Sequence, residues 1–208
     1  MVNMSENVPR AESSLMAQQQ GSEYVIPEEL LQRRADFVQL LQTDGLISND
    51  LATSGELDSF ELDIKTGGDA LIHTLIGNEN GGAHHMRTIL DLEIPNRVVA
   101  SEVNSPSDRP ISELRREQSV RPNGAFRARI IGIDSKAKEG GSAMFPTEWS
   151  TEDVIRAILT VSRTAPTNHD GERGLYLHVS EINGVRVSVT TNEKTGKIIT
   201  AFPKVSTK

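Results

Sequence analysis

The sequence predicts an α+β chain, with an N-terminal helical segment followed by helices packed on a curled antiparallel sheet. Two apolar stripes at helical spacing predict the helices, one from Leu30 to Leu41 and one from Val154 to Val161. The sheet is predicted by alternation: Leu175, Leu177 and Val179 run out, Asn183-Gly184 turns, and Val185, Val187 and Val189 run back. Helix laid against such a sheet is the layered solution that buries both apolar faces.

At 208 residues the chain suits one domain with an appendage, or two small domains. It has no cysteine, so disulfides and thiolate metal sites are excluded. No apolar run approaches the ~18–20 residues that span a bilayer, and the N-terminus lacks the apolar centre of a signal peptide. No membrane partner is expected, and export would need a carrier. The net charge of −7 is unevenly spread. Residues 1–70 hold 13 acidic and 4 basic side chains, whereas residues 71–208 hold 16 acidic and 18 basic. An acidic front and a slightly basic back suggest different tasks.

In chain order, residues 1–24 are polar, include Gln18 to Gln20 in a row, and read as a disordered tail. Residues 25–68 read as an acidic helical region. Pro27 suits a first helical turn, Glu28 and Glu29 suit its positive end, and Leu30, Leu31, Ala35, Phe37, Val38 and Leu41 form the stripe that stops near Asp44-Gly45. Residues 46–70 are weakly patterned, with one short amphipathic element around Leu57 to Ile64. Residues 69–208 form the main domain. Within it, residues 86–123 read as a long irregular insertion that contains Pro106 to Pro110 and the basic Arg115, Arg116 and Arg121. Residues 125–133 read as a partly buried strand. Trp149 is expected to pack in the core, and Ser150 to cap the second helix, with Glu152 and Asp153 in its first turn. A polar loop over 164–173 precedes the hairpin, and a turn at Asn192 to Gly196 leads into the last strand, Lys197 to Pro203. His169 falls in the loop. His178 falls on the outer side of its strand, opposite Leu177 and Val179.

Residues 73–85, His-Thr-Leu-Ile-Gly-Asn-Glu-Asn-Gly-Gly-Ala-His-His, gather three of the five histidines around a glycine pair. Two imidazoles flanking one phosphate suffice to cleave RNA. One removes the proton of the 2′-hydroxyl, the other protonates the leaving 5′-oxygen, and a side chain that titrates near pH ~6.5 offers both forms. Gly81 and Gly82 allow the turn that returns His84 towards His73, and their amides can approach a phosphate closely. A metal site from His73, His84 and His85 competes with this reading. Adjacent side chains in an extended loop point apart, however, and no carboxylate stands at helical spacing to complete the shell. No nucleotide-binding glycine loop is present, and neither a cofactor nor a metal is expected.

Several pieces then follow in a fixed order. The His73 to His84 block leads to a strand, a lysine-bearing stretch, Phe145-Pro146-Thr147-Glu148-Trp149-Ser150, a helix, a hairpin, and Ile199 to Pro203. This order resembles the bacterial EndoU endoribonucleases over residues ~70–205. These are found chiefly as toxin domains of secreted or contact-delivered proteins. The resemblance implies an EndoU-like nuclease domain over residues 69–208, with single-stranded RNA as its substrate and DNA excluded. Cleavage would often fall 3′ to uridine and leave a 2′,3′-cyclic phosphate, and transfer RNA is a frequent target. His73 would be the general acid and His84 the general base. Thr200 would contact base or phosphate, and Phe202 would stand where the family has tyrosine. Lys138 is the candidate catalytic lysine. Lys136 and Ser142 join Gly81, Gly82 and Phe202 as candidate substrate contacts. A cognate immunity protein would be the partner, and a target-cell cytoplasm the place of action. An acidic residue 1–65 region could instead cover the basic domain in cis, in which case its deletion raises activity. The alternative is a catalytically impaired relative that binds RNA or protein, suggested by Phe202 and the unplaced lysine.

Overall fold

The computed structural model describes residues 25–63, 68–78, 81–93, 98–102, 124–131 and 142–205. The expected tail, the Pro106 to Pro110 run, Arg115, Arg116, Arg121, Lys136 and Lys138 lie outside these residues.

The first helix, α1 (Glu28–Thr43), follows Pro27 and ends at Asp44, with Gly45 in the left-handed region that a turn requires. Its buried face differs from the predicted stripe. Arg34, Phe37 and Leu41 point inward, whereas Leu31 is 48% exposed. An arginine therefore sits among the apolar positions, because it has buried acceptors to meet. The weakly patterned stretch forms two further elements, α2 (Asn49–Thr53), capped by Ser48, and a 3₁₀ turn (Glu56–Ser59). They bury Leu51 and Leu57. A short antiparallel pair, β1 (Leu62–Asp63) and β2 (Gly68–Asp69), leads into α3 (Ala70–Leu75).

The predicted irregular insertion is in part regular. Met86–Asp91 is a helix, α4, which buries Met86, Thr88 and Ile89. Val98–Glu102 is a strand, β3, paired with β4 (Phe126–Ile131), which pairs in turn with β5 (Ser142–Met144). Apolar spacing over one and a half turns was too short a signal to separate α4 from the polar chain beyond it.

The helix α5 (Thr151–Ser162) begins at a reciprocal cap. The Ser150 hydroxyl accepts from the Asp153 amide, and the Asp153 carboxylate accepts from the Ser150 amide. It packs on a four-stranded antiparallel sheet of β6 (Asn168–Asp170), β7 (Leu175–Ile182), β8 (Val185–Asn192) and β9 (Ile198–Pro203). Thus β6 occupies part of the predicted polar loop, and His169 is a strand residue. Asn183 and Gly184 both take positive φ at the β7–β8 turn, as a two-residue hairpin of this twist requires.

Directly paired residues share a sheet face. Val185, Val187, Val189 and Ala201 are buried on one face, and His178 pairs with Val189 there. His178 therefore points inward, contrary to expectation. Its ring bonds the Thr164 carbonyl at 2.8 Å and the Thr191 hydroxyl at 3.0 Å, which makes burial of the imidazole tolerable. The other face carries Leu177, Val179, Ser188, Thr190, Thr200 and Phe202. A register shift at Thr190/Thr191 falls beside Thr200, where such irregularities re-aim side chains.

The buried cluster runs without interruption from Phe37 in α1 to Ala201 in β9. Residues 25–63 therefore contribute to the same core as the other described elements. Phe60 forms a parallel bridge with Ile198 on the outer edge of β9, and the Glu61 amide donates to the Ile198 carbonyl at 2.8 Å.

Candidate active site

His73 lies on α3, whose N-terminus is capped by Asp69. One carboxylate oxygen accepts from the Leu71 amide at 2.8 Å and the Ile72 amide at 3.1 Å. Beyond the helix, Asn78 and Gly81 exchange backbone bonds of 2.9 and 3.0 Å, and Gly81, Gly82 and Ala83 all take positive φ. This left-handed run turns the chain back along the end of α3. Three amides then meet the last carbonyls of the helix: Ala83 to His73 at 2.8 Å, His84 to Thr74 at 2.8 Å, and His85 to Leu75 at 3.3 Å. A Cβ at Gly82 would stand 1.9 Å from the His73 carbonyl oxygen, so no side chain fits there. The glycine pair thus brings the two histidine segments together as expected.

The strand β5 and Phe145 immediately after it clamp the returning segment at three points. The Ser142 hydroxyl donates to the Gly82 carbonyl at 3.1 Å, and the Phe145 amide donates to the His84 carbonyl at 2.8 Å. Between them, the Ala143 carbonyl lies 2.7 Å from His84 Nδ1. A carbonyl can only accept, so His84 carries its neutral-state proton on Nδ1 and its lone pair on Nε2. His73 is set the same way, with Nδ1 donating to Asn78 Oδ1 at 3.2 Å. The His84 ring lies 5.9 Å from the Phe202 ring, tilted by 42°. Phe202 and Thr200 are half-buried neighbours on one face of β9, against which α3 packs.

A bacterial EndoU nuclease family model matches residues 67–205. The chain belongs to the bacterial EndoU nuclease family. It is accordingly a nuclease, and its substrate is a nucleic acid. No curated protein and no solved structure matches the chain.

In this EndoU nuclease, Gly82 lies against His73 and the His84 ring meets Phe202, while Thr200 lies on the same face of β9 as Phe202. Ser142 is buried, and its hydroxyl braces Gly82. The Gly81 amide bonds Asn78, which leaves Gly82 as the glycine whose backbone borders His73. Lys136 and Lys138 belong to the stretch outside the described residues. His85 is separated from its neighbour entirely. It is fully buried, with Nε2 donating to the Trp149 carbonyl at 3.1 Å and Nδ1 accepting from the Thr88 hydroxyl at 2.6 Å. Burial pushes its pKa down from the usual 6.5 to about 4, despite the Trp149 hydrogen bond that opposes the change. Among the described residues, no three acidic or histidine side chains gather as a metal-ligand set. Trp149 stacks on Phe145 at 5.9 Å in the core, as expected.

Three supporting groups escaped the sequence reading: Asn78, the Ala143 carbonyl and Asp69. Asp69 was legible as a short acceptor immediately before the apolar Ala70-Leu71-Ile72. A backbone carbonyl carries no residue signature, so nothing in the sequence marked Ala143.

Proposed function

We propose that this nuclease cleaves single-stranded RNA by transesterification, with His84 as general base and His73 as general acid. The observation that carries this reading is the bond from His84 Nδ1 to the Ala143 carbonyl, because it makes Nε2 the basic nitrogen of a ring that meets Phe202. His84 Nε2 takes the 2′-hydroxyl proton, and the 2′-oxygen bonds phosphorus. The phosphorus–O5′ bond then breaks, and protonated His73 gives its Nε2 proton to O5′. The products are a 2′,3′-cyclic phosphate and a 5′-hydroxyl. Charge that grows on the non-bridging oxygens is met by the Thr200 hydroxyl and by a lysine of the 132–141 stretch, Lys138 or Lys136. Phe202 offers a face on which the base 5′ to the cleaved bond stacks, uridine being the base the resemblance favours.

The test is cleavage of a uridine-containing oligoribonucleotide in EDTA by the parent, His73→Ala and His84→Ala. Cyclic-phosphate ends from the parent, with each variant reduced by ~10²–10⁴-fold or more, support the roles. Activity that returns only with a divalent ion would replace them with a metal reaction. We further propose that the nuclease acts as a toxin in a target-cell cytoplasm, with transfer RNA among its targets and an acidic immunity protein as its antidote. Expression without an antidote should then arrest growth, and His84→Ala should lift the arrest.

A further inference from the structure

The helix α3 has only six residues, too few to hold helical geometry unaided. Its C-terminal carbonyls are held by the amides of residues 83–85, and its N-terminus rests on Asp69. Asp69 is in turn held by Arg34 of α1, a residue outside the family-matched segment. Arg34 Nη2 donates at 2.7 Å to the same Asp69 oxygen that caps α3, and Arg34 Nε donates to the other. The remaining guanidinium donors reach the carbonyls of Leu57 at 2.9 Å, Phe60 at 3.3 Å and Glu61 at 3.5 Å. Both side chains are buried, at 10% and 1% exposure.

We infer that Arg34 is a positioning residue for His73, fixing the orientation of α3 through the Asp69 cap. This rests on the reading of His73 as a reacting group. A buried ion pair that served packing alone could be exchanged at little cost for well-packed apolar side chains of similar volume. This pair is different in construction. One carboxylate is shared between the helix that bears His73 and a fork that also grips three carbonyls, and only a planar, five-donor group spans that set. A small rotation of α3 would carry the His73 ring with it, whereas the His84 ring, though its backbone bonds α3, is also held by the Ala143 carbonyl of β5. Misplacement of an acid by about an ångström costs ~10²-fold in rate.

Arg34→Lys keeps the charge and loses the fork. It is expected to lower kcat about 10- to 100-fold while KM changes less than about twofold, since α3 carries a proton donor and not the base-stacking face. The control is Leu51→Ala, which removes a side chain buried to 1% exposure in α2 and has no donor for Asp69. Ring-nitrogen NMR of His73 without RNA gives a second readout, reporting the Nδ1-protonated form held by Asn78. The inference stands if Arg34→Lys alters both kcat and the His73 signals while Leu51→Ala, at an equal or larger fall in Tm, alters neither. It is overturned if Arg34→Lys matches the parent in both, or if Leu51→Ala moves them equally. Should Arg34→Lys not fold, Asp69→Asn, which retains a cap oxygen but loses the ion pair, takes its place under the same criteria. If the parent itself cuts no RNA, the catalytic reading fails separately and the His73 signals alone decide the positioning.

Discussion

Adjacent histidines meet opposite fates at His84 and His85, and the backbone bonds of each decide which. His84 leans on one carbonyl and faces Phe202, whereas His85 is enclosed between Trp149, Thr88 and Thr151. Because His85 is held neutral, with a folded pKa near 4 against an ordinary 6.5, the unfolded chain binds its proton first as pH falls. Its contribution is complete above pH 6.5 and is lost between 6.5 and 4, about 3 kcal/mol in all. Urea titrations across that range should show the loss, and His85→Gln should flatten it. Gly82 is as constrained. Gly82→Ala must push the His73 carbonyl aside, and kcat should fall about 10²-fold or more in protein that retains its far-ultraviolet circular dichroism. Ala83 also takes positive φ, at 58°. In Ala83→Gly the relief of about 1 kcal/mol of strain is offset by about 0.8 kcal/mol of lost methyl burial, so Tm should hardly move.

The two longer helices, α1 and α5, the hairpin turn and the last strand were the legible elements. The cap at Ser150, the turn at Asn183-Gly184 and the span of β9 could be read from short-range chemistry, and the structure has them. Ser150→Ala should cost about 1 kcal/mol and lower Tm by about 2–4 °C, measurable by calorimetry. What alternation could not settle is the face. In β7 both sets of side chains are plausible inward sets, and α5 covers the one with His178, which lies opposite Val189. Likewise, Arg34 occupies an apolar position in α1 because its acceptors, Leu57, Phe60, Glu61 and Asp69, come from segments with no local bearing on that helix. The histidine pair and its glycine hinge were visible in the sequence since they lie within 13 residues. Their supports on β5 lie some 60 residues further on and are partly backbone.

Across the whole molecule, the segment before the family match is tied to the nuclease body at several distant points. Ser48 donates twice to Glu152 on α5, Arg163 pairs with Glu56 at 2.7 Å, and Asn192 donates to Glu61 at 3.0 Å. Burial would raise the Glu152 pKa, but the hydrogen bonds from Ser48 and Arg156 outweigh it and hold the carboxyl below its usual range. Deleting residues 1–63 should therefore abolish the cooperative thermal transition instead of releasing a masked enzyme. Circular dichroism melts of the truncated and full chains check this, and a truncated protein that melts sharply and cuts faster would revive the cis-cover idea. The bridge between Phe60 and Ile198 has a further consequence in time. The segment of residues 25–63 finds a partner in β9, and His84 meets Phe202 across a comparable separation. Contacts this remote close late in folding. A chain not yet extended through β9 has neither the Ile198 partner of Phe60 nor the Phe202 ring that His84 meets.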